Sequence, residues 1–238
     1  MSDIKYVHNF AKHLHNKFKD IVYEDTKHEY YNKRTNTKLI SVTQSLKLFE
    51  KKFDADYWAN KKALQEGITK EEMLLKWDEL KKVGIDRGNK YHNYIEKRHN
   101  KEIFLEPIPE IEAYFESHND IPLLSEFVIG NEIIGGRLDH MALRDDYLVL
   151  KDWKGNKKFD KESPYKLING LEHLPNTEYY KYALQVSLYK YILDIDDIKK
   201  LEVVWFNNNT FQVFEMPYLY EEVQHINNYV NSRAHSSN

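Results

Sequence analysis

The stretch GGRLDHMALRDDYLVLKDWKGNKKFD, residues 135–160, limits what this chain can become more than any other. Two β-prone runs flank RDDY, and a turn centred on Asp145 and Asp146 pairs Arg144 with Tyr147. Paired positions in an antiparallel hairpin keep a constant sum, so Asp139 falls opposite Asp152. Directly opposed residues on one face have Cβ atoms about 4.5–5.5 Å apart. Lys154 takes the same face as Asp152, while Lys151 and Trp153 take the other. Leu148, Val149 and Leu150 lead straight into Lys151–Lys154, so a buried strand ends on charge.

Two opposed carboxylates beside a core repel each other and are poorly solvated, which calls for a cation. Two readings of the residues follow. In one, Mg²⁺ or Mn²⁺ takes the carboxylate oxygens together with waters and phosphate oxygens. In the other, the strand end is solvated and Asp152 simply pairs with Lys154.

Composition removes several alternatives. The chain has no cysteine, which excludes disulfides, thiol nucleophiles, Cys-ligated zinc and iron–sulfur clusters. A net charge of −3 gives no general affinity for nucleic acid, so any such surface must be local. No run approaches the roughly 18 apolar residues of a membrane span. The first residues have neither the apolar run of a signal peptide nor the arginines of a transit peptide, so the expected location is cytoplasmic.

The rest of the chain supplies the frame. Ile4, Val7, Phe10, Ala11 and Leu14 have helical spacing. IVYEDTKHEYYNKRTNTKLISV predicts a small hairpin or extended arm, and Ser41 or Thr43 caps the next helix. Residues 54–99 are mostly helical, with a Thr69–Glu72 capping box and interruptions expected at Gly84 and Gly88. A short helix entered through prolines precedes strands at 125–131, 133–142 and 147–154. A Lys- and Pro-containing loop runs to residue 176. A strong helix, EYYKYALQVSLYKYIL, then a second hairpin and a closing helix with a frayed AHSSN tail complete the chain. That order predicts an α/β sandwich around a mixed sheet. We expect one domain over residues 1–238, with a mostly helical part at 1–100, the sheet at 121–216 and the closing helix at 218–238.

GRLDH followed by LKDWK resembles the PD-(D/E)XK nuclease motif, with Asp152-Trp153-Lys154 as its (D/E)-x-K element. GNKYH is similar to the Gly-x-x-x-His element of the RecB-like exonuclease branch, through Gly88 and His92. QVSLY is similar to that branch's Gln-x-x-x-Tyr helix, through Gln185 and Tyr189, and SVTQSL resembles a helix start in phage and mitochondrial members. The matched region spans residues 41–193. It departs from the family in using Asp where many relatives have Glu, and in lacking the four Cys that hold an iron–sulfur cluster in several of them. The resemblance is therefore to the cluster-free type, such as phage exonucleases and the mitochondrial genome maintenance exonuclease.

The resemblance implies a restriction-endonuclease-like core with a mixed central sheet, and a Mg²⁺- or Mn²⁺-dependent exonuclease. The implied substrate is DNA with free ends or single strands, in replication, recombination or repair. Its alternatives are an endonuclease on DNA or RNA, and a non-catalytic DNA-binding subunit. It implies metal ligation by His92, Asp139 and Asp152, with Lys154 placing the attacking water or balancing charge. It places Gln185 and Tyr189, which share a helix face at i and i+4, near that site. Tyr182 and Lys181 add to that region. Glu126, on the preceding strand, could reach it. Lys157, Lys158, Lys161 and Lys166 form a basic loop just beyond Lys154, where a phosphate backbone would pass. The aromatic-rich arm at 23–38 offers rings for unpaired bases.

Overall fold

The β-branched and apolar runs form one eight-stranded mixed sheet, with helices packed on both faces. This computed structural model describes residues 2–102, 106–156, 158–207 and 209–236, without the side chains of 2–7 and 235–236. The side chains of Ile4 and Val7, from the first apolar stripe, therefore lie outside the description.

Helix α1 (Ser2–Lys17) leads into three short strands, β1 (Ile21–Glu24), β2 (Glu29–Asn32) and β3 (Thr37–Ser41). The expected arm is thus a three-stranded meander. Its last strand joins the main sheet, pairing parallel with β5 (Ile134–Arg144) at Ile40–Ile134 and Ser41–Gly135. That long-range pairing leaves no mark in the local pattern. Ser41 caps α2 (Val42–Lys47) in a reciprocal capping box with Gln44, an arrangement worth about 1 kcal/mol.

Helix α3 (Ala55–Glu66) is capped by Asp54, and α4 (Lys70–His99) by the Thr69–Glu72 box. Helix α4 runs unbroken through Gly84 and Gly88, against expectation. Glycine costs a helix roughly 1 kcal/mol per residue but does not stop it. A side chain at either position would meet nothing, so packing does not require these glycines. Helix α5 (Pro109–Ser117) starts on proline.

Strand β4 (Ile121–Gly130) begins earlier than expected because Pro122 reads as a strand breaker. Here β4 pairs with β5 alone, and the register shifts between Pro122 and Leu124. Strand β6 (Tyr147–Lys154) pairs with β5 in the anticipated register, from Arg144–Tyr147 to His140–Lys151. Asp145 takes the left-handed conformation (φ 53°) that a tight hairpin turn needs. Helix α6 (Glu178–Leu193) crosses back to β7 (Ile198–Asn207), which is parallel to β6, and β8 (Thr210–Met216) pairs antiparallel beyond it. Helix α7 (Tyr220–Ser236) continues through most of the expected tail.

One sheet face packs Met141, Leu148 and Leu150 of the hairpin against α6 and α7 through Val186, Leu193 and Ile226. The other face packs Trp153, Val204 and Phe206 against the second half of α4 and against α5 through Tyr91, Ile95 and Tyr114. Among the described residues no helix is long and apolar enough to cross a membrane.

Strand β5 is paired by β4 along one edge at residues 135–143. Its other edge is shared, by β3 at residues 134–135 and by β6 at residues 140–144. Between those two, residues 136–139 pair with no described strand on that edge. This gap positions the candidate site.

Candidate active site

Glu126 and Asp139 are opposed across β4 and β5, because the flanking pairs Ser125–His140 and Phe127–Leu138 keep one register. Glu126 has φ 47° in mid-strand. A non-glycine residue there is strained, and such strain gathers at functional sites. The kink changes the phase of both strands. Leu124 and Phe127, three apart, face the same core, as do Leu138 and Met141. Strict alternation would have sent one of each pair to the opposite face.

Three ligand groups meet beside the kink. His92, from α4, sets Nδ1 3.0 Å from Glu126 Oε1 and Nε2 3.7 Å from Asp139 Oδ2. One ligand atom from each of His92, Glu126 and Asp139 lies within 4.8 Å of the others, a set that could hold a metal ion. Arg137 binds the other Glu126 oxygen at 2.9 Å and stacks over Tyr23 at 5.2 Å. Asp139 Oδ2 accepts the Trp153 backbone N–H at 2.8 Å, which ties the separating end of β6 to β5.

Asp152 is fully buried beside this set. Its Oδ1 accepts from Gln185 Nε2 at 2.9 Å, and Lys154 Nζ lies 2.5 Å from its Oδ2. Gln185 Nε2 also lies 3.2 Å from the Tyr189 hydroxyl. Tyr189 reaches the gap because position 136 is glycine, since a Cβ there would come within 2.8 Å of the Tyr189 ring. Lys154 sits 4.9 Å from the Tyr182 ring centroid.

The protonation states follow from burial and charge. Burial pushes Asp152 up to about 6, with Lys154 opposing and Asp139 adding to the rise. Burial alone would lower His92, but the charge of Asp139 and the bond to Glu126 raise it to about 9. Burial would also lower Lys154, yet Asp152 and Asp139 hold it above the ordinary lysine value. Burial pushes the Tyr189 phenol well up, so it stays neutral. Three carboxylates, Glu126, Asp139 and Asp152, therefore face two permanent cations, Arg137 and Lys154, with His92 as the third when protonated.

The sequence-derived residues separate into groups here. His92, Asp139, Asp152, Lys154, Gln185 and Tyr189 gather in one cluster, with Tyr182 at its side. The metal-capable set contains Glu126 where the resemblance implied Asp152, whose oxygens are engaged by Lys154 and Gln185. Of the basic loop, Lys161 packs over the rings of Tyr179 and Phe214, each at 5.1 Å. The backbone carbonyl of Lys158 accepts from the Asn156 side chain. Lys157 lies outside the described residues. Arg137 was not anticipated; its one sequence signal is its place two residues before Asp139.

No family model and no curated protein matches this chain. A solved structure entitled "Crystal structure of SSO0001" is similar to it at 12% identity and a TM-score of 0.39, over 96% of this chain and 85% of that one. The site is therefore read from its own geometry.

Proposed function

We propose that this chain is a metal-dependent deoxyribonuclease with a PD-(D/E)XK core, acting as an exonuclease on DNA ends or single strands. One observation carries the reading: Asp139, Asp152 and Lys154 meet His92 and Glu126 in a single cluster at the open end of the β5–β6 hairpin. The donor set of one imidazole and two carboxylates fits Mn²⁺ or Mg²⁺. A divalent cation, when bound, lowers the pKa of a water and neutralises phosphate charge.

His92, Glu126 and Asp139 are the residues that would hold it. Arg137 keeps one Glu126 oxygen fixed, so the carboxylate is oriented before any ligand arrives. Lys154 stays an ammonium in a buried setting, where it can steady the attacking water or the charge growing on the phosphate. Gln185 pins Asp152 and leaves it one direction in which to act. The pairing of Gln185 with Tyr189 on α6 supports the exonuclease branch.

The test incubates the protein with end-labelled linear and circular single-stranded DNA in Mn²⁺, Mg²⁺ or EDTA. Metal-dependent release of nucleotides from the linear substrate alone is the expected result. Cutting of the circle would replace the exonuclease reading with an endonuclease, and cleavage undiminished by EDTA would remove the metal.

A further inference from the structure

Next to the candidate site is a cavity of about 900 Å³ with aromatic and basic walls. One wall is the segment before α3 and its first turn, with Lys51, Lys52, Phe53 and Trp58. The other is the loop before α6, with Tyr165 and Lys166. Backbone and side-chain bonds from Ile168 to Phe49 (2.9 Å) and from Asn169 to Leu48 (2.7 Å) hold the two walls together. Lys181 lines the cavity one helical turn before Gln185, so α6 contributes to both the cavity and the candidate site.

We propose that this cavity holds the unpaired strand of a DNA substrate next to the scissile phosphate, a proposal that rests on the nuclease reading. Phe53 and Tyr165, both on the cavity lining, are 61% and 60% exposed, so ring area is open for stacking. Bases would stack there, and only unpaired bases expose their faces. The charges agree. The lining carries four lysines, Lys51, Lys52, Lys166 and Lys181, against two acids, Glu50 and Asp54. Both acids are engaged, Asp54 in capping α3 and Glu50 near Lys181 at 3.6 Å. The volume suits on the order of two nucleotides.

The test measures anisotropy of a short fluorescein-labelled single-stranded deoxyoligonucleotide in EDTA, where nothing is cleaved. Tyr165→Ala should weaken binding about tenfold, while Tyr165→Phe, which keeps the ring, should bind like wild type. Lys51→Ala with Lys52→Ala should lower the slope of log affinity against log salt by about 1.4, for two lost phosphate contacts. Wild-type affinity in Tyr165→Ala, a wild-type salt slope in the double lysine variant, or equal loss with a blunt duplex would overturn the proposal. A wild type that binds in this Tyr165-dependent way yet cleaves nothing with metal would support the cavity and remove the nuclease reading.

Discussion

The β5–β6 hairpin carries a buried charge cluster at each end, and the two are built differently. Near the turn, Arg144 binds Asp120 through Nε and a terminal nitrogen at 2.7 and 2.8 Å, and Glu202 at 2.6 and 3.0 Å. Lys151 binds Asp120 and the Tyr114 hydroxyl. Two acids meet two cations, and every carboxylate oxygen has a donor. Burial would raise Asp120, but its bonds to Arg144 and Lys151 hold it down at about 2. At the open end three carboxylates meet two permanent cations, and a histidine takes up a proton to close the difference. The first cluster is balanced by permanent cations alone; the second is balanced only through a titratable proton on His92, whose place a metal ion could take. A buried ion pair alone is therefore poor evidence of function, whereas a set that relies on a titratable proton is better evidence.

The largest contrast comes from breaking each cluster once. Asp152→Asn keeps size and removes a repulsion with Asp139, which still faces the Lys154 ammonium, so the protein should fold. Its cleavage of labelled DNA should fall by about 10³-fold or more, the scale set by losing one preorganised charged group. Arg144→Met should do the reverse. It strands Glu202 in the interior and costs about 3 kcal/mol, read as a lowered melting temperature, with turnover per folded molecule preserved. Full activity in Asp152→Asn would make the open end a second structural cluster.

Metal should separate the two ends next. Mn²⁺ at about 100 times its Kd should stabilise wild type by about 2.7 kcal/mol. Arg144→Met should gain as much, and Asp139→Asn should gain nothing. Mn²⁺ should act at lower concentration than Mg²⁺, because His92 supplies nitrogen. Differential scanning fluorimetry across a metal titration reads all of this, and an equal response in Asp139→Asn would remove the site.

Much of this contrast was legible in the sequence. The RDDY turn sets the pairing sum, which holds as far as His140–Lys151; the ladder stops one step short of the expected Asp139–Asp152 pair, and Asp139 accepts the Trp153 N–H instead. The period-2 pattern puts Lys154 with Asp152 and Lys151 away. Helix α6 displays Gln185 and Tyr189 on one face through their spacing. What could not be read was set by distant contacts. The left-handed kink at Glu126, which shifts the phase of both strands, is a tertiary constraint that no local pattern announces. Helix α4 passes through Gly84 and Gly88 because helix length and packing outweigh two weak residues. Strand β3 joins β5 across the long stretch of chain between Ser41 and Ile134, beyond any local pattern.

The pH response should differ in sign between the ends. In chelator, His92 has a folded pKa of about 9 against an ordinary 6.5, so its contribution is full below 6.5 and lost as pH rises through 9. We expect a loss on the order of 1–2 kcal/mol over that window, discounted for partial exposure. Asp120, held at about 2, contributes above its ordinary 3.8 and loses that contribution as pH falls through 2. His92→Gln should flatten the alkaline limb and leave the acid limb alone. Denaturant melts from acid to alkaline pH decide it, and an unchanged alkaline limb in His92→Gln would mean the proton is held elsewhere.

The smallest effect tests whether the open end is strained while the turn end is not. Glu126 stands at φ 47° inside a strand, where a side chain costs roughly 1 kcal/mol that glycine avoids. In an ordinary strand, glycine is the worse residue, because it loses more entropy and packs nothing. At this position the order should invert. Glu126→Gly and Glu126→Ala both remove the carboxylate, so both should lose the stabilisation by Mn²⁺. Without metal, however, the glycine variant should melt about 2–4 °C above the alanine variant, the shift expected for 1 kcal/mol in a chain of this size. The same pair of changes at Tyr147, in the regular strand beside Arg144, should keep the usual order, with alanine above glycine. If alanine also exceeds glycine at position 126, the backbone there is relaxed, and the convergence of Glu126 with His92 and Asp139 owes nothing to stored strain.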